Sequence, residues 1–331
     1  MSLPTVGGLG ERALIERILG RLPQAPPWVV VGPGDDAAVV EPERNRLDVL
    51  ATDALVEGVH FDRRYVPADA IGHKALAVNL SDLAAMGAAP RAALLSLALP
   101  PSLPLDEIDR LVDGLLGLAS RYRVAVIGGN IAGSPGPLVV DLTVLGSVHR
   151  RRIPRRSGAR PGDELFVSGE IGSAAAGRQA LAAGRAAGLD DCVSRFLRPE
   201  PRLRLGILAG RNQAVTSCID LSDGLADGVR QIAAASGVGV EIDEGAVPVS
   251  GAARHWFEAE GLDPIDEALR GGEDYELLFT VPRRRHRAFD AVVRLAGVPC
   301  VRIGRVGAGP GTVLRSAAGS RPLPDGFAHL R

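Results

Sequence analysis

Nearly the same acidic phrase stands once in each half of this chain of 331 residues: Asn79-Leu80-Ser81-Asp82-Leu83 and Asp220-Leu221-Ser222-Asp223-Gly224. Carboxylates clustered in short loops need a cation, and hard oxygen ligands of this kind favour Mg²⁺, often shared with phosphate oxygens. Gly34-Asp35-Asp36 and Thr52-Asp53 add two more acidic segments. A fold that carries this pattern is expected to draw on both halves of the chain for one Mg-nucleotide site. The echo of residues 79–87 in residues 220–228 hints at an old duplication, and so at two related domains.

The length suffices for two domains that each bury a core. The chain is rich in alanine, glycine, valine and leucine while aromatics make up 4%, which suits α/β or α+β architecture with close packing of helix on sheet. A net charge of −1 argues against nucleic acid or a membrane surface as the main partner. Cys192, Cys218 and Cys300 show no C-x-x-C spacing, so they read as small buried side chains rather than a zinc site or a disulfide framework. No apolar run is long enough to span a bilayer and the N-terminus lacks signal-peptide character, so a cytoplasmic protein is expected. Lys74 is the sole lysine, and Gly72-His73-Lys74-Ala75 is no Walker A loop. Any triphosphate must therefore be neutralised by metal ions and arginines.

Apolar spacing predicts a helix over 11–22, strands over 29–31 and 47–51 that run into the acidic loops at 34–36 and 52–53, and a helix over 68–86 in two pieces, broken near Ser81-Asp82. Strands follow at 94–99, 124–127 and 137–148, with a helix over 106–122. Gly128-Gly129-Asn130 then reads as a loop after its strand, placed as a backbone cradle for phosphate. The run His149-Arg150-Arg151-Arg152-Ile153-Pro154-Arg155-Arg156 marks a boundary, giving domains 1–149 and 150–331. It reads equally as a solvated linker or as phosphate-binding arginines; nucleic-acid binding fits less well, since aromatics are missing. In the second half strands are expected at 164–168, 215–220, 238–242 and 275–281, with helices at 172–183 and from Ser222-Asp223 to 235.

Phosphoryl transfer asks for positioning, metal ions on phosphate oxygens and neutralisation of developing charge. Asp36, Asp53, Asp82, Asp220 and Asp223 are the right residue type to hold two or three Mg²⁺ ions. Each alone could be a turn former or helix cap. His60 and Glu273 are polar groups suited to orienting a second substrate, or ordinary surface residues.

Gly34-Asp35-Asp36-Ala37-Ala38, Thr52-Asp53 with Gly58-Val59-His60-Phe61, Lys74 to Gly87, Arg156-Ser157-Gly158-Ala159, Asp220 to Leu225 and Gly271-Gly272-Glu273-Asp274-Tyr275-Glu276-Leu277 together closely resemble the thiamine-monophosphate kinase family. The match runs in order from about Gly10 to Phe327. The resemblance implies the two-domain α/β (α+β) fold shared with aminoimidazole ribonucleotide synthetase and selenophosphate synthetase, and a homodimer formed through the N-terminal domains. It implies that ATP and thiamine monophosphate give ADP and thiamine diphosphate with Mg²⁺. By motif, it places Asp36, Thr52, Asp53, Asp82, Asp220 and Asp223 around the metals, with Asp82, Asp220 and Asp223 as the catalytic set. Gly129, Asn130, Arg152 and Ser222 would contact ATP, and His60, Glu273 and Phe327 would line the thiamine phosphate site. The chain departs from the family at Asn130, where an aspartate is usual: the amide keeps an oxygen at that metal position but loses the charge. Ala51 is a smaller departure. Two rivals stand beside this reading: a related ATP-dependent enzyme acting on another small substrate, and, suggested by Asn130, a protein that binds nucleotide or thiamine phosphate without turnover.

Overall fold

The computed structural model describes residues 4–326, in two units: residues up to Leu83 with Ala89–Ser147, and Ala84–Ala88 with Val148 onward. In the first, α1 (Val6–Leu9) and α2 (Glu11–Leu19) precede the short antiparallel pair β1 (Val29–Val31) and β2 (Val39–Val40). Then follow β3 (Leu47–Val56), α3 (Ala68–Ala85), β4 (Ala89–Leu99), α4 (Leu105–Tyr122), β5 (Ala125–Gly133) and β6 (Val139–Val148). The last four strands form a sheet in the order β3-β6-β4-β5, with β4 parallel to β5 and antiparallel to β6.

Helix α4 buries Ile108, Leu111, Val112, Leu115 and Leu118, a stripe at helical spacing that the sequence announces. Helix α3 differs. Residues Ala75 to Ser81 are buried, apart from half-buried neighbours at its start and at Asp82, so no amphipathic period exists to define it. It is one continuous helix, not the expected two pieces, and Ser81 and Asp82 belong to its last turns. It lies against α4 with backbone nearly touching backbone: a Cβ on Gly72 would fall 1.8 Å from the Leu111 carbonyl, and one on Gly114 1.9 Å from that of Asp69. Only glycine permits that approach.

Strand alternation gives the four-stranded sheet two distinct faces. Leu95, Leu97, Leu99, Val140, Leu142 and Val144 are buried, while Leu94, Ser96, Asp141 and Thr143 face the other way and remain partly open. Two expectations are corrected here. Thr52 and Asp53 lie inside β3 rather than in a loop at its end, and Gly128-Gly129-Asn130 lies inside β5, not after it. The glycine pair reads as a strand end, yet pairing with β4 continues past it, Gly129 opposite Leu95 and Asn130 opposite Ser96. A Cβ on Gly129 would sit 1.8 Å from the Leu95 carbonyl, so glycine here serves close strand approach beside a register shift.

The second unit contains β7 (Glu164–Ser168), α5 (Ser173–Ala182), α6 (Asp190–Leu197), α7 (Leu203–Arg211), β8 (Ser217–Asp220), α8 (Leu225–Ser236), β9 (Gly239–Asp243), α9 (Gly251–Ala259), α10 (Pro264–Arg270), β10 (Leu277–Val281), α11 (His286–Ala296), β11 (Cys300–Gly307), β12 (Thr312–Ser316) and β13 (Gly319–Pro322). Its seven strands run β13-β12-β9-β11-β7-β10-β8, antiparallel except for β9 with β12. Leu221, Val229 and Ile232 pack with Leu165, Val167, Ile219, Leu278 and Ile303 in its main core. A second cluster around Cys192, Trp256 and Phe257 joins α5, α6 and α9. The two copies of the acidic phrase adopt different structures. The first is helical through Ala85, whereas the second is a strand end, a turn and the start of α8. Their likeness in sequence is not a likeness in backbone.

Candidate active site

On the open face of the first sheet lies a cavity of about 760 Å³, lined by Ile15, Ile18 and Leu19 of α2, by Gly34 to Asp36, and by residues of β4, β5 and β6. That size suits a small-molecule ligand. One wall is apolar. The other carries a polar row, because Asn130 of β5 and Asp141 of β6 both pair in register with Ser96 of β4. Thr52 of β3 extends the row: its Oγ1 lies 3.2 Å from Asp141 Oδ1 and 2.9 Å from the Leu142 carbonyl, and accepts from Thr143 Oγ1 at 3.2 Å. At the turn after β1, Asp35 Oδ1 accepts the Asp36 N–H at 2.9 Å. Asp35 thus shapes the turn, and both Asp35 and Asp36 line the cavity.

Of the residues singled out by motif, the cavity brings together Asp36, Gly129 and Asn130, with Thr52 at its border. Asp53 follows Thr52 in β3 and, by strand alternation, does not share its face. Asp82 is half-buried near the end of α3. His60 follows β3 in a turn, where Nδ1 accepts the Val56 N–H at 3.0 Å, which leaves the proton of the neutral ring on Nε2. Lys74, only 1% exposed, donates to the His60 carbonyl at 3.3 Å. The buried lysine therefore anchors the turn that carries His60. Asp141 was not expected from the sequence; the signal was the alternation of Val139 to Leu145, which puts one carboxylate on an otherwise apolar and hydroxyl-bearing face.

In the second unit two loops are bonded to each other through backbone. Glu273 N–H donates to the Ser222 carbonyl at 2.7 Å, Tyr275 N–H to Leu221 at 3.0 Å, and Leu221 N–H to Glu276 at 2.9 Å. The contact needs glycine, since a Cβ on Gly272 would fall 2.4 Å from the Ser222 carbonyl. Ser222, Asp223 and Glu273 are thereby brought side by side, half-buried, beyond the end of β8, where Asp220 is 8% exposed. Ser222 Oγ donates to Asp223 Oδ2 at 3.1 Å. Glu273 and Tyr275 both hold positive φ, 70° and 50°, conformations that cost non-glycine residues and recur at functional sites.

Asp274, between those two residues, turns inward. Its carboxyl accepts the N–H groups of Gly172 at 2.8 Å and Ala174 at 3.2 Å, capping α5. Burial pushes its pKa up to about 7, against the pull of the two N–H donors. Next to it the fully buried Glu276 receives Arg202 Nε at 2.7 Å, Arg195 Nη1 at 3.2 Å and Ser168 Oγ at 2.5 Å. These charged contacts fix the strand into which the loop feeds. The chain before the C-terminus is tied to the same region: Arg230 donates to the carbonyls of Leu323 and Pro324 at 2.7 and 2.6 Å, and a Cβ on Gly326 would meet the Asp223 carbonyl at 2.9 Å. Phe327 lies outside the described residues. Arg152, Arg155 and Arg156 are all exposed.

The donors around the first cavity are carboxylate, amide and hydroxyl oxygens, a chemistry that fits Mg²⁺ and not a thiophilic metal. Among the described residues no group of three or more His, Cys, Asp or Glu side chains is arranged to hold a metal. An ion here would complete its shell with water or phosphate oxygens, as Mg²⁺ commonly does.

Two family models match the chain: AIR synthase related protein, N-terminal domain, over residues 34–148, and AIR synthase related protein, C-terminal domain, over 160–316. The thiamine-monophosphate kinase of Escherichia coli K12 is 40% identical over 304 residues, covering 90% of both chains. The crystal structure of thiamine-monophosphate kinase from Stenotrophomonas maltophilia K279a is 37% identical, with a TM-score of 0.80, and covers 95% of this chain and 97% of that one. The structure of AaThiL complexed with AMPPCP and TMP is 34% identical, with a TM-score of 0.78 and 98% of each chain covered.

Proposed function

This chain belongs to the thiamine-monophosphate kinase family, within the AIR synthase related proteins, and from that premise we infer that it transfers the γ-phosphoryl group of ATP to thiamine monophosphate, releasing thiamine diphosphate and ADP. The observation that carries the reading is the bonded pair of loops, Leu221 to Gly224 and Gly271 to Tyr275, which holds the acidic phrase against the Glu273 segment in a strained backbone. A family member bound to an ATP analogue and TMP supports the same substrates.

The attacking atom is an oxygen of the acceptor phosphate, already anionic, so no strong general base is needed and positioning dominates. We assign Asp36, Thr52, Asp82 and Asn130 of the first unit and Asp220 and Asp223 of the second to magnesium, and Asp53, which leaves the opposite face of β3 from Thr52, to a separate ion. When bound, Mg²⁺ supplies neutralisation of charge on the phosphoryl oxygens. Gly129, Asn130, Arg152 and Ser222 bind ATP, and His60 and Glu273 orient thiamine monophosphate, His60 through its Nε2–H.

A homodimer through the first unit is part of the same reading. Its support is the open sheet face, where Leu50 and Leu94, which also line the cavity, are 70% and 41% exposed, an apolar surface of the kind that marks an interface, so that a partner seated there would form part of the cavity wall. No helix among the described residues is long and apolar enough to cross a membrane, and the three free cysteines suit the reducing cytoplasm. Incubating the protein with Mg-ATP and thiamine monophosphate should give thiamine diphosphate and ADP in equal amounts. ADP without thiamine diphosphate, or binding without either product, would turn the assignment toward one of the two rivals.

A further inference from the structure

Asp141, on the sheet face that floors the cavity, has no place in the set just assigned. Asp141 and Asn130 flank Ser96 from opposite sides, each in register with it, so all three side chains point to the same face of the sheet. Asp36 lines the same cavity. Several acidic side chains of this unit are matched to cations, among them Asp109 with Arg17 and Arg21, Glu107 with Arg63, and Asp62 with Arg64. Among the described residues neither Asp141 nor Asp36 has an ion-pair partner. Among the described residues Asp141 receives one side-chain hydrogen bond, from Thr52 of β3, which holds Oδ1 toward the side of β6 away from Ser96 without neutralising the carboxylate.

We propose that Asp141 is a magnesium ligand, supplying from β6 the negative charge that Asn130 does not supply from β5. The inference rests on the kinase reading above and adds a residue to it. Two strand spacings separate the flanking backbones by about 10 Å, and side chains that rise from one face do not both reach across to a single Mg²⁺ over Ser96; Asp141 is the direct ligand, and Asn130 meets the ion through a coordinated water, of which Mg²⁺ keeps several. The row keeps one formal negative charge, moved by two strands. This explains how a chain with an amide at the position of the usual aspartate retains affinity for a divalent cation.

The test is direct metal binding, with Mn²⁺ as the probe, followed through the electron paramagnetic resonance signal of the free ion, on the full chain in the presence of AMPPCP. Asp141→Asn, an isosteric change, should weaken Mn²⁺ binding about tenfold, because an amide attracts the dication far less than a carboxylate. Moving the charge back with Asn130→Asp in the Asp141→Asn chain should restore affinity to within about threefold of wild type, and Asn130→Asp alone should tighten it. The far-ultraviolet circular dichroism melt of each variant is taken as a fold control, and the two chains that carry Asn130→Asp keep the test open if the first variant is unstable. Binding by Asp141→Asn within about twofold of wild type, or failure of the charge-swapped chain to recover, would overturn the proposal. Because thiamine diphosphate formation is measured separately, a wild type that makes product while Asp141 variants bind Mn²⁺ normally would refute this inference and leave the kinase reading standing.

Discussion

Replacing Asp274 with asparagine isolates the energetic cost of building the Glu273 loop. The carboxyl is buried and its pKa stands at about 7, compared with 3.8 for the unperturbed group. Between those values the folded protein keeps a proton that the unfolded chain has released, so the folded state binds more protons and stability falls as pH rises. The contribution is complete below pH 3.8 and is lost as pH passes through about 7. A separation of about three pKa units corresponds to about 4 kcal/mol over the whole range, of which about 2–3 kcal/mol falls between pH 5 and pH 8. Asparagine does not titrate. The stability difference between wild type and Asp274→Asn should therefore shift by about 2–3 kcal/mol in favour of the variant on going from pH 5 to pH 8. Urea unfolding at the two pH values, followed by tryptophan fluorescence in a Trp28→Phe background, reports the right unit, since Trp256 lies in the cluster built on α5. Groups that do not interact with Asp274 are common to both chains and cancel in the difference. A difference that does not change with pH would refute the claim that this carboxyl is buried and protonated near neutrality.

Further outcomes follow from the site. Asp82→Ala and Asp223→Ala should each lower turnover about 100-fold or more, the usual effect of losing a group that stabilises a phosphoryl transition state; near-normal kcat for Asp223→Ala would reduce that residue to the hydrogen-bond partner of Ser222. Arg152→Ala should raise the KM for ATP several-fold more than Arg155→Ala does, and equal small effects would return the whole arginine run to the status of a solvated linker. Gly272→Ala forces a Cβ to within 2.4 Å of the Ser222 carbonyl and should cost about 1–3 kcal/mol of stability while raising the KM for thiamine monophosphate; an unchanged KM would show that the spacing of the two loops does not shape the acceptor site.

The parts of the fold that the sequence made legible are those with a periodic signal. Helix α4 shows its stripe, and β6 and β10 show runs of β-branched and apolar residues bounded by turns. Helix α3 is buried on nearly all sides, which erases the 3.6-residue period and leaves Ser81-Asp82 looking like a break. The glycine pair 128–129 was misread because glycine is both a turn former and the residue that lets strands close in. The motif loops were visible as residues, yet their bonding to each other was not, since Ser222 and Glu273 are brought together only by the β8 to β10 pairing. The same holds for Arg195 and Arg202 with Glu276, and for Asp274 at the start of α5: the partners are distant in sequence, and no local pattern marks them. Asp141 belongs to no acidic phrase, so no local pattern marks it. Its significance comes from the strand register that sets it across Ser96 from Asn130.

The central claim is that the γ-phosphoryl group of ATP passes intact to the phosphate of thiamine monophosphate. It is tested most directly by supplying ATP with ¹⁸O in the three non-bridging γ oxygens, together with Mg²⁺ and thiamine monophosphate, and reading the products by ³¹P nuclear magnetic resonance. Direct transfer places all three labelled oxygens on the terminal phosphorus of thiamine diphosphate and none in inorganic phosphate. Label recovered as inorganic phosphate, with thiamine monophosphate unchanged, would contradict the account and identify the chain as an ATP-consuming relative with a different acceptor.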